Sequence, residues 1–157
     1  MSELWDVYTK DRKRTGKTCI RGEQGKLLDD EFRIWVMVWI KNPTTGKYLV
    51  SQRSADKETD PLKWETVAGH AISGENSLDA AIREVFEEVG ITLHPENATI
   101  LATKVALTYD GCRHNWIRDS YYFETTEEPD LQRATTQEVI QTRWLSLPEI
   151  RKMYDRG

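Results

Sequence analysis

The sequence predicts one layered α/β domain, built from several strands and two helices. Three observations support this fold class. The length of 157 residues is typical of a single domain. Short segments with the apolar pattern of strands alternate along the chain with segments of helical periodicity. No internal repeat or low-complexity tract interrupts this order, so a repeat architecture is not expected.

Residues 32–40 predict a central strand, because apolar side chains occupy both of its faces. Trp35 and Trp39 lie on the second face, where a core position is expected and stacking on a base is the alternative. Residues 42–46 predict a turn, since they contain a proline and a glycine. Residues 47–52 then return as the second strand of a hairpin.

Residues 78–89 form the clearest helix, because their apolar side chains recur at intervals of three and four. Asn76 or Ser77 can cap its start. Gly90 can end it in the left-handed conformation. The segments before this helix predict a polar loop, a short strand and a sharply bent loop: residues 54–63, 64–68 and 69–76.

The second half of the chain predicts three further strands and one short helix. Asp110 and Gly111 mark a turn between the first two strands. Pro148 suits the first turn of the helix. The strands are residues 100–109, 116–124 and 139–145, a polar loop spans residues 127–136, and the helix spans residues 148–154.

Residues 1–29 are expected to form an arm or strand that packs on the main domain of residues 30–157. Six basic residues fall between positions 10 and 21. Such a stretch is typical of a solvated, mobile arm. Two alternatives are a flap that brings positive charge to a phosphate ligand and a dimer contact.

Composition excludes several classes of protein. The net charge of −4 disfavours binding to nucleic acid, which needs clustered basic residues. The longest apolar run, residues 34–40, is too short to span a membrane, and the first residues do not resemble a signal peptide. Cys19 and Cys112 have no metal-type spacing and suggest two reduced thiols. We therefore expect a cytoplasmic protein with a small-molecule partner.

The polar side of the helix at residues 78–89 carries three glutamates, Glu84, Glu87 and Glu88. At the helical repeat they fall within an arc of about 100°. Clustered carboxylates repel one another unless a cation neutralises them, and their oxygens suit Mg²⁺ or Mn²⁺. Taken alone, the pattern also fits a solvated acidic face.

The surrounding residues complete a longer pattern. Gly69 is followed by five residues, Glu75, seven more residues, and then Arg83-Glu84-Val85-Phe86-Glu87-Glu88-Val89-Gly90-Ile91. All of its fixed and aliphatic positions match the Nudix box, so the chain resembles the Nudix hydrolase family over residues 69–91. The resemblance implies the Nudix fold, an α/β/α sandwich around a mixed β-sheet. It also implies a Mg²⁺- or Mn²⁺-dependent pyrophosphohydrolase that cleaves a nucleoside diphosphate linked to another moiety.

The resemblance also implies roles for individual residues. The metal would be held by Glu84, Glu87, Glu88 and the main-chain carbonyl of Gly69. Arg83 would act with the catalytic glutamates by orienting a carboxylate. Glu75 and Gly90 would be supporting residues. The general base is expected to be Glu87 or Glu84, and Glu138 is either a further carboxylate of the site or a surface glutamate.

Three further residues are candidates for substrate binding. Arg53 and Lys57 follow the strand at residues 47–52 and precede the box, so they could hold a phosphate. Surface solvation explains them about as well. His70 directly follows Gly69 and could touch the ligand, although a hydrogen-bonded loop histidine is the simpler interpretation.

Motifs outside the box resemble the Nudix subgroup related to isopentenyl-diphosphate isomerase. They are Glu3-Leu4-Trp5-Asp6-Val7-Tyr8, Thr15-Gly16, Arg21-Gly22 and Gln52-Arg53-Ser54, with Lys57, Pro61 and Trp64. The isomerases place a catalytic cysteine just before a degenerate box. Residues 64–70 contain no cysteine here and the box is intact, which favours hydrolysis. Isomerisation and a non-catalytic nucleotide-binding domain are the alternatives, and family analogy suggests a possible homodimer through the N-terminal arm.

Overall fold

The computed structural model describes residues 2–109 and 113–156. Within these residues the chain forms two α-helices and nine strands. In chain order they are β1 (Leu4–Tyr8), β2 (Arg14–Ile20), β3 (Arg33–Lys41), β4 (Tyr48–Arg53), β5 (Trp64–Glu65), β6 (Val67–His70), α1 (Ser77–Val89), β7 (Thr99–Tyr109), β8 (Arg113–Glu124), β9 (Val139–Leu145) and α2 (Leu147–Asp155). The predicted α/β class is confirmed. The predicted turn at Asp110 and Gly111 lies outside the described residues.

The main sheet is mixed, as the sequence predicts. Its strands follow the order β5-β4-β3-β8-β7, with β6 paired to β3 and β9 paired to β4. The pairing of β3 with β8 is parallel and the other pairings are antiparallel. The strand predicted at residues 64–68 is divided into β5 and β6, because its first part pairs with β4 and its second part with β3.

The core lies between the sheet and α1. Alternate residues of β3, including Val36 and Val38, are fully buried there, and α1 contributes Val85 and Val89. The other face of β3 is covered less completely than predicted: Trp35 and the other odd-numbered residues after Arg33 are only half-buried. The physical reason is that every residue of α2 is at least partly exposed, so this short helix gives the second face little cover.

The predicted caps of α1 are confirmed. The side chain of Asn76 accepts a hydrogen bond from the backbone N–H of Asp79 at 2.9 Å. Gly90 ends the helix with a φ of 72°, which favours glycine. A side chain on Gly90 would also overlap the carbonyl oxygen of Asp130, so the loop after β8 approaches the end of the helix closely.

The N-terminal residues form an antiparallel hairpin of β1 and β2. The basic stretch is mostly exposed, as expected of a solvated segment, but it is a strand and not an irregular arm. A bridge between Tyr8 and Phe32 joins the hairpin to the main sheet. The guanidinium of Arg12 also donates to the carboxylate of Asp119, which is 0% exposed. The hairpin is therefore anchored by one buried ion pair.

The helices of the described residues are short. The longest, α1, has 13 residues, and none of the helices described is both long and apolar enough to cross a membrane.

Candidate metal centre

Glu88 is the most unusual carboxylate of the molecule. It lies on the inner side of α1, is only 5% exposed, and its Oε2 atom has no hydrogen-bond partner. Burial raises the pKa of Glu88 well above its usual range, and the charges of Glu84, Glu138 and Glu65 raise it further. A buried carboxylate oxygen without a donor is energetically unfavourable unless the acid takes up a proton or a cation neutralises it.

Glu84 lies one helical turn before Glu88 and faces the backbone of β6. A Cβ atom at Gly69 would overlap the carboxyl carbon of Glu84, so only glycine leaves room for this carboxylate. Burial raises the pKa of Glu84 to about 7, against the opposing charge of Arg83. The glycine of the motif thus creates the space in which a buried acid sits beside the strand.

Arg83 links the carboxylates of the motif to one another. Its guanidinium donates to both oxygens of Glu75 at 2.9 and 3.0 Å, to Glu84 at 2.9 Å and to Glu87 at 2.8 Å. It also donates to the carbonyl oxygen of His70 at 2.9 Å. Glu75 in turn accepts the backbone N–H of Ile72 at 3.1 Å. These bonds agree with the supporting role expected of Glu75 and the orienting role expected of Arg83.

Two further ion pairs include groups whose charges act on Glu88. Arg53 donates to Glu65 at 2.7 Å and to the carbonyl oxygen of Thr59 at 2.9 Å. Lys57 donates to Glu138. Both cations expected to hold a phosphate are therefore already engaged by carboxylates, and a phosphate would have to compete for them.

Glu138 is brought to the centre by the loop before β9. The backbone N–H groups of Thr135 and Thr136 donate to the carbonyl oxygen of Glu87 at 3.0 and 3.1 Å, which fixes this loop against α1. The backbone carbonyl of Glu138 accepts the N–H of Ser54 at 2.7 Å. The structure therefore places Glu138 near the other carboxylates. The sequence left open whether it joins them or is a surface glutamate.

The group as a whole carries an excess of negative charge. Among the described residues it contains six carboxylates against three cations, a net charge of −3 when all are ionised; the acids are Glu65, Glu75, Glu84, Glu87, Glu88 and Glu138, and the cations are Arg53, Lys57 and Arg83. Glu88 is the acid without a cation of its own. A divalent cation at this point would reduce the imbalance and satisfy the unpartnered oxygen.

The carboxylates are not gathered into a finished coordination sphere. In the part of the chain that the structure describes, no three acidic, histidine or cysteine side chains converge closely enough to hold a metal ion. The reason is that Arg83 draws oxygens of Glu84 and Glu87 toward itself. The donor set nevertheless fits Mg²⁺ or Mn²⁺, because it consists of hard carboxylate oxygens and includes one buried oxygen without a partner.

His70 is held by the N-terminal hairpin. Its ring stacks on the indole of Trp5, with centroids 4.3 Å apart and an interplanar angle of 24°. This contact favours a structural role for His70 over direct contact with a ligand.

Sequence reasoning missed two acidic residues near the centre. Glu65 contributes to the raised pKa of Glu88, and Glu3 contributes to that of Glu84. Neither stands at a patterned distance from the box. The pairing of β5 with β4 positions Glu65, and β1 lies beside the loop after β6 because the N–H of Ser73 donates to the carbonyl of Leu4 at 2.8 Å.

Comparison with known proteins matches residues 31–157 to the model of the NUDIX domain. An uncharacterised Nudix hydrolase of Listeria monocytogenes is 35% identical over 161 residues, which cover 99% of this chain and 86% of that protein. A crystal structure of a Deinococcus radiodurans protein has a TM-score of 0.74 at 18% identity and covers 99% of this chain and 90% of that one. The NUDIX domain of Shewanella oneidensis NrtR, crystallised with ADP ribose, has a TM-score of 0.62 at 16% identity and covers 78% of this chain and 77% of that one.

Proposed function

The chain belongs to the Nudix hydrolase family, and we propose that it is a Mg²⁺-dependent pyrophosphohydrolase of nucleoside diphosphates linked to another moiety. Water attacks phosphorus in this reaction. The observation that carries the proposal is the buried, unpartnered oxygen of Glu88 within a group of six carboxylates and three cations. Mn²⁺ is the alternative metal, since it accepts the same oxygen donors.

The residues proposed to hold the metal are Glu84, Glu87, Glu88 and the main-chain carbonyl of Gly69. When bound, the cation would neutralise the diphosphate and activate a water molecule for attack. Arg83 positions the carboxylates of α1, because its guanidinium contacts both Glu84 and Glu87. Glu75 keeps Arg83 in place through two hydrogen bonds.

Glu87 is the better supported of the two candidate bases. Its side chain is 32% exposed, whereas that of Glu84 is 13% exposed, so Glu87 can meet a water molecule more readily. Glu138 is a further candidate, because it lies in the same group of charges and is half-exposed. Whichever of these glutamates is the base would accept the proton that the attacking water releases.

Arg53 and Lys57 are proposed to bind the substrate phosphates, each by releasing the glutamate with which it is paired. Each is paired with a glutamate, Glu65 and Glu138 respectively. A diphosphate offers the same type of oxygen acceptor with a higher charge. His70 is proposed to act through its stack on Trp5, and so to shape the site without bonding to the ligand.

The finer assignment to the subgroup related to isopentenyl-diphosphate isomerase remains part of this proposal. Isomerisation itself has little support, because β6 and its flanking residues contain no cysteine. Cys19 is buried in a separate cluster with Trp5, Val7 and Leu27, and Cys112 lies outside the described residues. A purely ligand-binding role has little support either, because all carboxylates of the motif are present. A homodimer through the N-terminal hairpin is proposed only by family analogy.

The test is a panel of diphosphate compounds assayed for phosphate or nucleoside monophosphate release with Mg²⁺, with Mn²⁺ and with EDTA. Release is expected only with a divalent cation, and Glu88→Gln is expected to lower it by about a hundredfold or more, the scale of losing a charged group in the transition state. Glu96→Gln is the matched control, because Glu96 lies in an exposed turn outside the site. Equal release by wild type and Glu88→Gln would contradict the proposal.

A further inference from the structure

The half-buried second face of the sheet carries a row of side chains, most of which have no part in the proposed reaction. Trp35 on β3 is in register with His70 on β6 and with Arg118 on β8. Arg118 is in turn in register with Lys104 on β7. Residues in register on neighbouring strands point to the same face of a sheet. The row therefore starts at the residue after Gly69 and crosses four strands.

Arg118 lies beside two neighbouring indole rings. Its guanidinium carbon lies 5.7 Å from the ring centroid of Trp35 and 5.4 Å from that of Trp116. The two rings are 5.3 Å apart and tilted by 54°. Cation–π contacts of this kind stabilise a guanidinium and keep its N–H groups directed outward in their plane.

The guanidinium of Arg118 makes no hydrogen bond or ion pair within the described residues. The Nε of Arg118 is buried and has no hydrogen-bond partner there. The ion pairs of the described residues engage other arginines, such as Arg12, Arg53 and Arg83, but not Arg118. Lys104, its exposed neighbour in the row, adds a second positive charge. A fixed guanidinium without an acid is suited to bind an anion from solution.

We propose that Arg118, braced by Trp35 and Trp116, is an anion-binding subsite for a phosphate or carboxylate group of the substrate. Neighbouring strands lie about 4.8 Å apart, so β8 is about 10 Å from β6, which carries the glycine of the metal centre. Arg118 points to the face of the sheet opposite α1, so a ligand that reaches both places must also extend around the edge of β6, which requires a diphosphate with a nucleoside or sugar attached. The inference rests on the proposed function for the identity of the ligand, whereas the subsite itself does not depend on metal.

The test is isothermal titration of the full chain in EDTA with inorganic phosphate and, separately, with malonate. Wild type is expected to bind at least one of these anions, and Arg118→Gln is expected to bind it about tenfold or more weakly. Tighter binding of phosphate assigns a phosphate group to the subsite, and tighter binding of malonate assigns a carboxylate.

Arg143→Gln is the matched control, because Arg143 also lies over an indole, that of Trp64, at 4.7 Å. It is expected to bind as wild type does. If Arg118→Gln fails to fold, Arg118→Lys keeps the charge without the planar fork, and we expect it to bind at least about threefold more weakly. Equal affinities of wild type and the Arg118 variants, or no binding of either anion by wild type, would overturn the inference.

A kinetic measurement separates this inference from the proposed function. With a substrate from the diphosphate panel, Arg118→Gln is expected to raise KM about tenfold while kcat stays unchanged. If wild type bound anions in EDTA but hydrolysed none of the diphosphates, the reaction would be wrong and the subsite would stand. An unchanged KM in Arg118→Gln would count against the subsite alone.

Discussion

At the scale of single residues, Glu88 lowers the stability of the metal-free protein and is also a proposed metal ligand. Its side chain is nearly fully buried, and one carboxylate oxygen lacks a donor. Removing the charge from such a group relieves the desolvation that burial imposes. The same change removes the oxygen that we propose as a metal ligand, so stability and activity should respond in opposite directions.

We therefore expect Glu88→Gln to unfold at a higher temperature than wild type in EDTA at pH 8. The expected gain is on the order of 1–3 kcal/mol, the penalty of a buried unsatisfied group. Differential scanning calorimetry in EDTA measures it, and Glu96→Gln, at an exposed position, should leave the melting temperature unchanged. A Glu88→Gln protein less stable than wild type in EDTA would argue against an unneutralised carboxylate at this position.

Glu84 predicts a dependence of stability on pH. Burial raises the pKa of Glu84 in the folded protein to about 7, whereas the ordinary value is 4.5. A raised folded pKa means that the stability contribution is present below the ordinary pKa and is lost as pH rises through about 7. The metal-free protein should lose up to about 3 kcal/mol from this group between pH 4.5 and 7.5.

Glu84→Gln mimics the protonated acid and tests this dependence. Its free energy of unfolding in EDTA, measured with urea at several pH values, should exceed that of wild type by an amount that grows as pH rises. Glu96→Gln should show no such trend, because its side chain is exposed. A difference between Glu84→Gln and wild type that did not vary with pH would contradict the raised pKa.

The sequence identified the residues of the site better than their environments. The spacing of Glu84, Glu87 and Glu88 predicted one acidic patch; Glu84 and Glu87 pair with Arg83, whereas Glu88 is buried on the inner side of α1. It could not predict that Glu88 is buried while Glu87 is half-exposed. Nor could it predict that the charges of Glu138 and Glu65, from other parts of the chain, raise the pKa of Glu88. Such long-range contacts leave no periodic signal in the chain.

At the scale of elements, the N-terminal hairpin depends on Arg12. This residue reaches from the turn after β1 to Asp119 in the core of the sheet and to the hydroxyl of Ser77 at 3.0 Å. Burial raises the pKa of Asp119, but the hydrogen bonds from Arg12, Ser77 and Thr103 outweigh it and lower the pKa overall. The ion pair therefore joins the hairpin, α1 and β8.

We expect Arg12→Ala to destabilise the protein by about 2 kcal/mol. Removing one partner of a fully buried ion pair lowers the free energy of unfolding by more than this. The side chain of Arg12 is 37% exposed, so water screens the pair and the expected loss is smaller. Urea denaturation at pH 7 measures the loss. Lys26→Ala removes an ion pair with Glu23 in which both side chains are exposed, and it should change the free energy of unfolding by less than about 0.5 kcal/mol. Equal effects of the two variants would contradict the anchoring role of Arg12.

Local patterns predicted most elements of the domain but not the hairpin. The helix α1 was identified from its apolar stripe and its caps, and its observed bounds, Ser77–Val89, differ by one residue from the prediction. The β2 strand was expected only as part of an N-terminal arm or strand, because its residues are mostly exposed and basic, without the alternation that marks a half-buried strand. Its structure comes from pairing with β1 and from the anchoring of Arg12, which are tertiary interactions.

At the scale of the whole molecule, the sheet separates two functions that we propose. One face packs on α1 and supports the metal centre, while the other face carries the stacked Arg118. The arrangement depends on the parallel pairing of β3 with β8, which joins distant parts of the chain. The sequence predicted a mixed sheet but not this pairing, because strand order is decided by packing between strands rather than by any one segment.

The proposed reaction requires a divalent cation bound by the carboxylates of α1, and titration of Mn²⁺ into the metal-free full chain tests this binding directly. Electron paramagnetic resonance of free Mn²⁺ gives the affinity without any substrate. We expect wild type to bind Mn²⁺, Glu96→Gln to bind it equally well, and Glu88→Gln to bind it at least about tenfold more weakly, since each charged ligand contributes strongly to affinity. Equal Mn²⁺ affinities of wild type and Glu88→Gln would contradict the central claim.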